Sequence, residues 1–382
     1  MPRAVILSGS LGSGHDIIAE AVTGSLARLG WDSRTLDCMG LLGRRAGQAG
    51  DWVFRRLTAM PGVYDGLNFA HLRPGSRLAR AMDEAATSRL VPALHTGLLR
   101  DPADLVIAVF ATGASAAAQL AGPDWGARTI VLCVDAAPHS LWVREGIDLF
   151  LVTSGAAASS VRRYVPRAHI RVVPPPVRPA FYHRVPQATA RRPLGIPSYA
   201  PCALLMGGGW GLGPLEHAAR DLAEAGVHVL AVAGRNHQLA ARLKALARGS
   251  PRVHPFGFTG RIVELMNACD VVVTLPGATT CAEARVVGRR LVLLDAMPGH
   301  GRENLQHELE LGGADVCNPR PPGLTAGVLA ALDRARRRRP ANGHPAGEWD
   351  RAFAAALASI GLNPAPPGDL QTTRASQEAG CR

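Results

Sequence analysis

Two glycine-rich segments each follow a short apolar run and precede a helical pattern. In SGSLGSGH the glycines are Gly9, Gly12 and Gly14. In MGGGWGLG they are Gly207, Gly208, Gly209, Gly211 and Gly213. Glycine lets backbone N–H groups approach an oxygen-rich group, and the N-terminus of the next helix favours negative charge. A tight turn also uses glycine, so the first segment leaves both interpretations open. The five glycines of the second segment favour phosphate binding.

Three side chains of the first half could transfer protons. His15 follows the first glycine-rich segment at the start of a helix, where a neutral imidazole can accept a proton from a hydroxyl. The alternative is a histidine that caps the helix. Asp135 and His139 lie in VDAAPHSLW after another strand, at the carboxyl edge where open α/β sheets bind ligands. An aspartate beside a histidine base can orient the imidazole or raise its basicity.

The second half carries a further candidate anion site. Gly277, Thr279 and Thr280 precede or open a helix that contains Glu283 about one turn later. The helix N-terminus and the two hydroxyls suit a phosphate, and the carboxylate suits the vicinal hydroxyls of a ribose. The alternative, which is commoner for such a pattern taken alone, is a capping box between a threonine and Glu283.

These motifs follow short β-branched runs that alternate with helical patterns. The runs predict strands at 5–8, 105–110, 129–134, 149–152, 170–173, 203–206, 227–233, 271–274 and 291–294. Helices are predicted behind them, the first at 16–29. Continuous apolar runs of this length, spaced by helices, indicate parallel sheets covered on both faces. The sequence therefore predicts an α/β fold of two Rossmann-like domains whose parallel sheets face a central cleft.

A proline-rich stretch divides the two halves. It contains VPPPVRP and four further prolines up to position 201, a composition typical of a linker. We expect a first domain at 1–175, a linker at 176–200 and a second domain at 201–340. Residues 341–382 are expected to form a helix at 348–360 and a disordered polar tail.

Composition and charge narrow the class of protein. Of 382 residues, 47% are hydrophobic and 19% charged, which is typical of a globular protein. The net charge of +12 indicates an anionic partner, but no recognised nucleic-acid motif accompanies it. The seven cysteines form no CxxC pair, which indicates a reducing cytosol rather than a disulfide scaffold or a zinc site. The apolar start predicts a first strand rather than a signal peptide, and no segment is expected to span a membrane.

One part of the first half is both basic and aromatic. Residues 41–80 contain seven arginines against Asp51 and Asp65, a local net charge of +5. Such a segment is typical of a protein that rests on an anionic bilayer. The expected membrane contacts are Trp52, Phe54, Arg55 and Arg56. The alternative is a basic helix packed on its own domain. A second local net charge of +5, at 320–340, is typical of a solvated helix end.

The order of the motifs resembles one family across residues 3–335. The ordered set is SGSLGSGH, VDAAPHSLW, VPPPVRPAF, LLMGGGWGLGP, VAGRN, GFTGRIVELMNACDVVVT, PGATTCAEA and MPGHGREN. It resembles the monogalactosyldiacylglycerol synthase and processive diacylglycerol glucosyltransferase family, which is glycosyltransferase family 28-like. It is more distantly similar to the bacterial enzyme that adds N-acetylglucosamine to lipid I. The resemblance implies a GT-B fold, with an acceptor domain, a nucleotide-sugar domain and a cleft between them.

The resemblance also implies an activity. It implies an inverting, metal-independent transfer of a hexose from a UDP-sugar to a lipid hydroxyl, in this family that of diacylglycerol. The UDP-sugar is then a substrate and no cofactor is expected. The implied partners are the UDP-sugar, the lipid acceptor and an anionic membrane surface, and the implied location is cytoplasmic and peripheral to the membrane.

The resemblance assigns roles residue by residue. His15 matches the proposed catalytic base and Asp135 its partner, while Gly14, His139 and Trp142 lie on the acceptor side. The positions matching nucleotide-sugar contacts are Gly208, Gly209, Gly211, Gly213, Arg235, Asn236, Phe258, Gly277, Thr279, Thr280, Glu283, Glu303 and Asn304. No residue is expected to bind a metal.

The sequence departs from the family at several of these motifs. Where the family has Gln-Glu after Pro-Gly, at positions that contact sugar hydroxyls, this chain has His300-Gly301, and Glu303 comes two residues late. Trp210 replaces a glutamate, and ATGAS replaces a His-Pro pair after strand 105–110. Two alternatives therefore stay open. One is a soluble GT-B enzyme acting on a non-lipid acceptor, or an epimerase of that fold; the other is a weakly catalytic or non-catalytic UDP-sugar-binding protein.

Overall fold

Each half of the chain folds around a six-stranded parallel sheet. The computed structural model describes residues 1–10, 13–43, 52–53, 56, 60–121, 125–319, 323–337 and 344–363. The first sheet has the order β2-β1-β3-β4-β5-β6. Its strands are β1 (Arg3–Ser8), β2 (Asp32–Asp37), β3 (Leu105–Ala108), β4 (Arg128–Cys133), β5 (Leu149–Val152) and β6 (Ile170–Val172). The second has the order β12-β11-β10-β7-β8-β9. Its strands are β7 (Cys202–Met206), β8 (His228–Val232), β9 (Val253–Phe256), β10 (Val271–Thr274), β11 (Arg290–Leu294) and β12 (Ala314–Cys317).

Helices cover both faces of each sheet. In the first half they are Gly14–Arg28, Cys38–Leu41, Pro61–Leu67, Arg77–Arg100, Ala111–Leu120 and Gly155–Tyr164, with a π-helix at Asn68–Leu72. In the second half they are Leu215–Glu224, His237–Gly249, Ile262–Ala268, Ala278–Val287, His300–Glu310 and Gly323–Arg337, and Glu348–Ala358 follows. Strands β3, β5, β7 and β10 are buried at every position. The predicted fold class, α/β with two parallel sheets, is confirmed.

The strands that the apolar runs did not predict lie at sheet edges. They are β2, β9 and β12, each at one end of its sheet. An edge strand is covered on fewer sides than an interior strand, so it tolerates polar residues. The sequence DSRTLD of β2 contains no fully buried residue, which explains why it lacks an apolar run.

The stretch expected to be a linker, 176–200, is folded against the second domain. It contains a short 3₁₀ helix at Pro179–Tyr182 and a helix at Gln187–Arg191. Phe181 and Ile196 join the core cluster that also holds β7 residues. Arg191 is 1% exposed and donates to four main-chain carbonyls and to the Asp270 carboxylate at 3.0 Å. Burial and these bonds fix the stretch, so proline here indicates a tight path over a surface rather than a free tether.

The helix Glu348–Ala358 returns to the first domain. Trp349 and Phe353 pack into the core cluster of the first sheet. The Trp349 indole donates to Ser25 Oγ at 2.8 Å, and Arg28 pairs with Asp350 at 2.8 Å. Both partners lie on the helix Gly14–Arg28, so the last described helix supports the helix that begins beside His15. Residues 364–382, where a tail was expected, lie outside the described part.

The order of the strands places a crevice at the carboxyl edge of each sheet. After β1 the chain moves to β2 on one side and then to β3 on the other, and after β7 it makes the same reversal with β8 and β10. Loops that leave neighbouring strands in opposite directions open a crevice at such a switch point. Within the described residues, no helix combines the length and the apolarity needed to cross a bilayer.

Candidate active site

A cleft of about 590 Å³ lies between the two domains. Its walls come from the loops after β1, β3 and β4 on one side and after β7, β8, β9, β10 and β11 on the other. Most of the residues predicted for a site line it. These are Gly14, His15, Asp135, His139, Trp142, Gly208, Gly209, Arg235, Phe258, Gly277, Thr279, Thr280, Glu283 and Asn304.

His15 is held by the main chain of the first domain. Its Nδ1 lies 2.8 Å from the Val109 carbonyl oxygen. Because a carbonyl only accepts, Nδ1 carries the proton and Nε2 is the nitrogen that can accept one. Burial lowers the pKa of His15, and the charge of Asp135 partly opposes this shift. The imidazole is therefore neutral at neutral pH, as a general base must be.

Asp135 acts on His15 through its charge rather than through a hydrogen bond. Of the two roles predicted for it, raising the basicity of the imidazole agrees with the pKa effect, whereas His15 is oriented by Val109. The Asp135 carboxylate accepts instead from the Asn304 side chain at 3.4 Å. His139 lies beside it, partly buried, and desolvation lowers the pKa of His139 to about 4. Trp142 is buried with its ring centroid 6.1 Å from that of His15.

The second glycine-rich loop meets the start of the His15 helix across the cleft. A Cβ on Gly209 would lie 2.3 Å from Ser13 Oγ, so only glycine permits this approach without movement of Ser13. Gly208 and Gly209 line the cleft, whereas Gly211 and Gly213 lie behind the lining, with φ of +61° and +95°. These two shape the turn rather than face a ligand. The loop therefore presents the main chain of its glycines to the cleft, together with the side chains of Trp210 and Leu212.

Arg235 and Phe258 form the outer wall on the same side. The Arg235 guanidinium carbon lies 4.4 Å from the centroid of the Phe258 ring, and the ring is 61% exposed. Asn236 does not line the cleft: its side chain accepts from the Leu239 N–H at 3.0 Å and caps the helix His237–Gly249. The predicted ligand role of Asn236 is therefore replaced by helix capping.

The helix Ala278–Val287 begins at the cleft without a capping side chain. Gly277 is its N-cap residue, so the predicted alternative of a threonine capping box is not observed, and Thr279 and Thr280 line the cleft. Glu283 is 2% exposed and pairs with Arg178 at 2.8 Å. Burial raises the pKa of Glu283 to about 7, and Arg178 opposes the shift. A carboxylate and a guanidinium thus lie together one turn behind the uncapped start of this helix.

The segment called loop 297–304 below, which comprises the turn after β11 and the first residues of the helix His300–Glu310, closes the remaining side of the cleft. Asn304 is 5% exposed and its side-chain oxygen accepts from the Ala136 N–H, in the first domain, at 2.9 Å. Glu303 lies outside the cleft lining: it pairs with Arg73 of the first domain at 2.9 Å. The predicted sugar-binding role of Glu303 is therefore replaced by a contact between domains. His300 lines the cleft.

The predicted membrane contacts are described only in part. Trp52 is 61% exposed, and the Arg56 guanidinium carbon lies 5.6 Å from the centroid of its ring. Phe54 and Arg55 lie outside the described residues. Farther along the same part of the chain, Val63 and Phe69 are also exposed.

Among the cleft residues that the sequence did not predict as part of the site, Tyr64 and Arg178 bring polar side chains to it. Tyr64 was read as part of the membrane segment, yet it is 5% exposed and lines the cleft. Arg178 lies in VPPPVRPAF, and its position in a stretch assigned as a linker hid it. A lone arginine between prolines was the available signal, but its partner Glu283 is 105 residues away.

Comparison with known proteins supports a single family. Residues 214–318 match the glycosyltransferase family 28 C-terminal domain. The monogalactosyldiacylglycerol synthase of Spinacia oleracea is 32% identical over 185 residues, which are 46% of this chain and 35% of that protein. The "Probable monogalactosyldiacylglycerol synthase" of Nicotiana tabacum is 27% identical over 333 residues, 81% of this chain and 61% of that protein. The processive diacylglycerol beta-glucosyltransferase of Bacillus pumilus is 28% identical over 194 residues, 50% of this chain and 51% of that protein. The matches thus span from about a third to less than two thirds of these relatives, and they confirm the predicted resemblance.

Solved structures share the fold across nearly the whole chain. MurG of Acinetobacter baumannii has a TM-score of 0.54 at 12% identity, covering 94% of this chain and 100% of that one. UGT2 of Phytolacca americana has a TM-score of 0.58 at 13% identity, covering 94% and 100%. The predicted GT-B fold is confirmed by this likeness.

Proposed function

We propose that this chain is a glycosyltransferase that moves a hexosyl group from a UDP-sugar to a hydroxyl of diacylglycerol, with inversion and without a metal ion. The observation that carries the proposal is His15, a neutral imidazole fixed through Nδ1 to Val109 and facing the glycine-rich loop and the start of the helix Ala278–Val287 in the opposite domain. The relatives named for diacylglycerol glycosyl transfer support the lipid acceptor. The family 28 domain at 214–318 supports the sugar-nucleotide donor.

The reaction follows from the placement of the base. The acceptor hydroxyl loses its proton to His15 Nε2 while its oxygen bonds to the anomeric carbon of the sugar. The bond from that carbon to the diphosphate oxygen breaks at the same time, and both of its electrons leave with UDP. Attack opposite the leaving group inverts the anomeric centre. The charge of Asp135 stabilises the imidazolium that forms.

The second domain offers groups for the departing UDP. The diphosphate would bind to the main-chain N–H groups of Gly208 and Gly209 and to the N-terminus of the helix Ala278–Val287, all of which border the cleft. Thr279 and Thr280 add hydroxyl donors at the same helix start. Such fixed dipoles stabilise charge that develops on a leaving group. Glu283 would accept hydrogen bonds from the ribose hydroxyls, and the exposed ring of Phe258 would cover the uracil ring of UDP.

The test removes the proposed base. His15→Ala should lower the rate of UDP release in the presence of diacylglycerol by about 10²- to 10⁴-fold, the usual contribution of a general base. The affinity for UDP, measured by calorimetry, should stay within about twofold. His228→Ala is the matched control, because His228 lies on strand β8 beside His254 and does not line the cleft. Near-normal transfer by His15→Ala would overturn the assignment.

We also propose that the first domain docks on an anionic membrane surface. Trp52, Val63, Phe69, Leu78 and Met82 each expose more than two fifths of their surface, and Arg77 and Arg80 lie among them in the chain. Apolar side chains interspersed with arginine are the pattern of interfacial binding. Docking on this side would bring the lipid hydroxyl to the domain that carries His15.

Vesicle binding tests the docking proposal. The chain should co-sediment with vesicles containing phosphatidylglycerol and less with pure phosphatidylcholine. Val63→Glu with Phe69→Glu should reduce the bound fraction about tenfold or more. Tyr199→Glu is the control, because Tyr199 is 83% exposed on the other side of the domain boundary. If the chain did not bind vesicles and transferred sugar to a soluble, non-lipid acceptor as fast as to diacylglycerol, the alternative of a soluble enzyme would be favoured instead.

A further inference from the structure

One short helix of the first domain holds the loop 297–304 of the second. Asp65, on the helix Pro61–Leu67, accepts from the Gly299 N–H at 2.6 Å. The same carboxylate pairs with Arg302 at 2.9 Å. The side of the cleft formed by loop 297–304 is therefore completed by a segment from the opposite domain.

The loop is shaped around the ring of Tyr64. Gly299 has φ of +63°, a value that residues with a Cβ rarely adopt. A Cβ at Gly299 would also lie 2.6 Å from Cε1 of Tyr64. Two independent constraints thus require glycine at the point where the tyrosine packs. This contact is built into the loop rather than incidental to it.

The hydroxyl of Tyr64 determines which nitrogen of His300 faces a ligand. Tyr64 Oη lies 3.0 Å from His300 Nδ1. Burial and then the charge of Asp135 raise the pKa of Tyr64, so the phenol keeps its proton and can donate it to Nδ1. In that arrangement Nε2 carries the imidazole proton. The histidine then presents an N–H donor from its remaining nitrogen.

His300 borders the part of the cleft that the transferred sugar must occupy. It lines the same cleft as His15 and Thr280. The anomeric carbon has to sit between the diphosphate at the Thr280 helix start and the hydroxyl at His15. A side chain that borders both can reach hydroxyls of the hexose. An N–H donor there favours the epimer whose hydroxyl oxygen points toward it.

We propose that Tyr64 is a positioning residue: its hydroxyl fixes His300 so that Nε2–H binds one hydroxyl of the donor hexose, and the first domain thereby sets donor selectivity. This inference rests on the proposed function, because it assumes a UDP-hexose in the cleft. It adds a residue of the acceptor domain to the recognition of the donor.

A double-mutant cycle tests the proposal. The chain, Tyr64→Phe, His300→Gln and the double variant are compared by KM and kcat for UDP-galactose and UDP-glucose and by inhibition with UDP. Tyr64→Phe should raise KM for the preferred UDP-hexose about tenfold and shrink the preference between the two epimers. It should leave the inhibition constant of UDP within twofold, because UDP lacks the hexose. In the His300→Gln background the same tyrosine change should shift KM less than twofold.

The outcomes separate this proposal from the proposed function. Tyr182→Phe is the control, because Tyr182 lies in the segment Pro179–Tyr182 and does not line the cleft. An equal effect of Tyr64→Phe with and without His300, or an equal loss of UDP binding, would mean a structural role and overturn this inference alone. If the unsubstituted chain bound UDP but released none from any UDP-hexose, the proposed function would fail and this inference with it.

Discussion

The two ends of the cleft are built in different ways. The end proposed to bind the nucleotide, called the nucleotide end below, is formed by Gly208, Gly209, Thr279 and Thr280, which follow strands of the second sheet and belong to one domain. The opposite end is the loop 297–304, which also belongs to the second domain but is held by the first. Its contacts run to Tyr64, Asp65, Arg73 and Ala136.

This difference separates binding from turnover. A nucleotide site made within one rigid domain should form whether or not the domains are closed. A sugar site held by the other domain should form only when they are closed, which is also when water is excluded from the reaction. The substitutions below should therefore divide into those that weaken UDP and those that weaken only the UDP-sugar.

Among substitutions at the two ends of the cleft, the largest effect is expected at the nucleotide end. Glu283→Gln removes the carboxylate that would accept from the ribose, and hydrogen bonds to a charged group contribute about 1.5–3 kcal/mol. We expect the Kd of UDP, measured by calorimetry, to rise about tenfold to a hundredfold. Asp65→Asn, at the other end, should leave that Kd within twofold while lowering kcat/KM for the UDP-sugar. Equal losses of UDP affinity in both variants would remove the distinction between the two ends.

A smaller effect is expected from the Arg73–Glu303 ion pair, which joins the two domains at the end of the cleft proposed to bind the sugar. Arg73→Ala leaves the Glu303 carboxylate part-buried without its cation, and burial already raises the pKa of Glu303. The free energy of unfolding should fall by about 1–3 kcal/mol, the cost of an unsatisfied buried polar group. kcat/KM for the UDP-sugar should fall about tenfold, with the Kd of UDP unchanged. Ser159→Ala, on the exposed side of a neighbouring helix, is the control.

The pH dependence of kcat/KM should reflect the titration of His15, the proposed base, rather than the residues at either end of the cleft. The pKa of His15 lies below its ordinary value of 6.5, because burial disfavours the imidazolium. Since the base works unprotonated, kcat/KM should hold as pH falls to 6.5 and decline only below it. Asp135 raises this pKa, so Asp135→Asn should move the midpoint to lower pH still. A midpoint above 6.5 in the unsubstituted chain would contradict the geometry.

Glu283 gives the nucleotide end its own pH dependence. Its pKa is raised to about 7 by burial, so it takes up a proton in the folded chain at a pH where the unfolded chain is ionised. Stability should therefore fall as pH rises from about 4.5 to 7, and Glu283→Gln should remove this slope in chemical denaturation. UDP affinity should rise over pH 6 to 8, as the carboxylate that accepts from ribose becomes populated.

The smallest stability effect is expected at the outer wall. Phe258 is 61% exposed and meets Arg235 in an exposed cation–π contact. Phe258→Ala should change the free energy of unfolding by no more than about 0.5 kcal/mol. UDP affinity should nevertheless fall several-fold if the Phe258 ring covers the uracil ring of UDP. An unchanged Kd of UDP would mean that uracil binds elsewhere in the cleft.

The sequence was most informative where one element decides the outcome. The interior strands β5 and β10 have the predicted bounds, because burial on both faces requires a continuous apolar run. The cleft side chains that were recovered, such as His15 and Thr280, lie directly after strands. Position at the carboxyl edge of a parallel sheet can be read from local order alone.

The remainder depends on contacts between distant segments. Glu303 was expected to bind sugar, but Arg73, 230 residues earlier, pairs with it. Asn236 fits a ligand motif and a helix cap equally well, and only the bond to Leu239 decides between them. Arg178 and Tyr64 acquire their roles from partners on the other domain. No local pattern encodes such pairings.

The return of the helix Glu348–Ala358 to the first domain has a consequence for motion. The chain passes between the domains once before β7 and again between the helices Gly323–Arg337 and Glu348–Ala358, so two chain connections join them. A body tied at one point can swing in any direction, whereas a body tied at two can turn freely only about the line through both. Opening and closing should therefore follow a single arc, which returns His300 to the same place beside Tyr64 in every cycle.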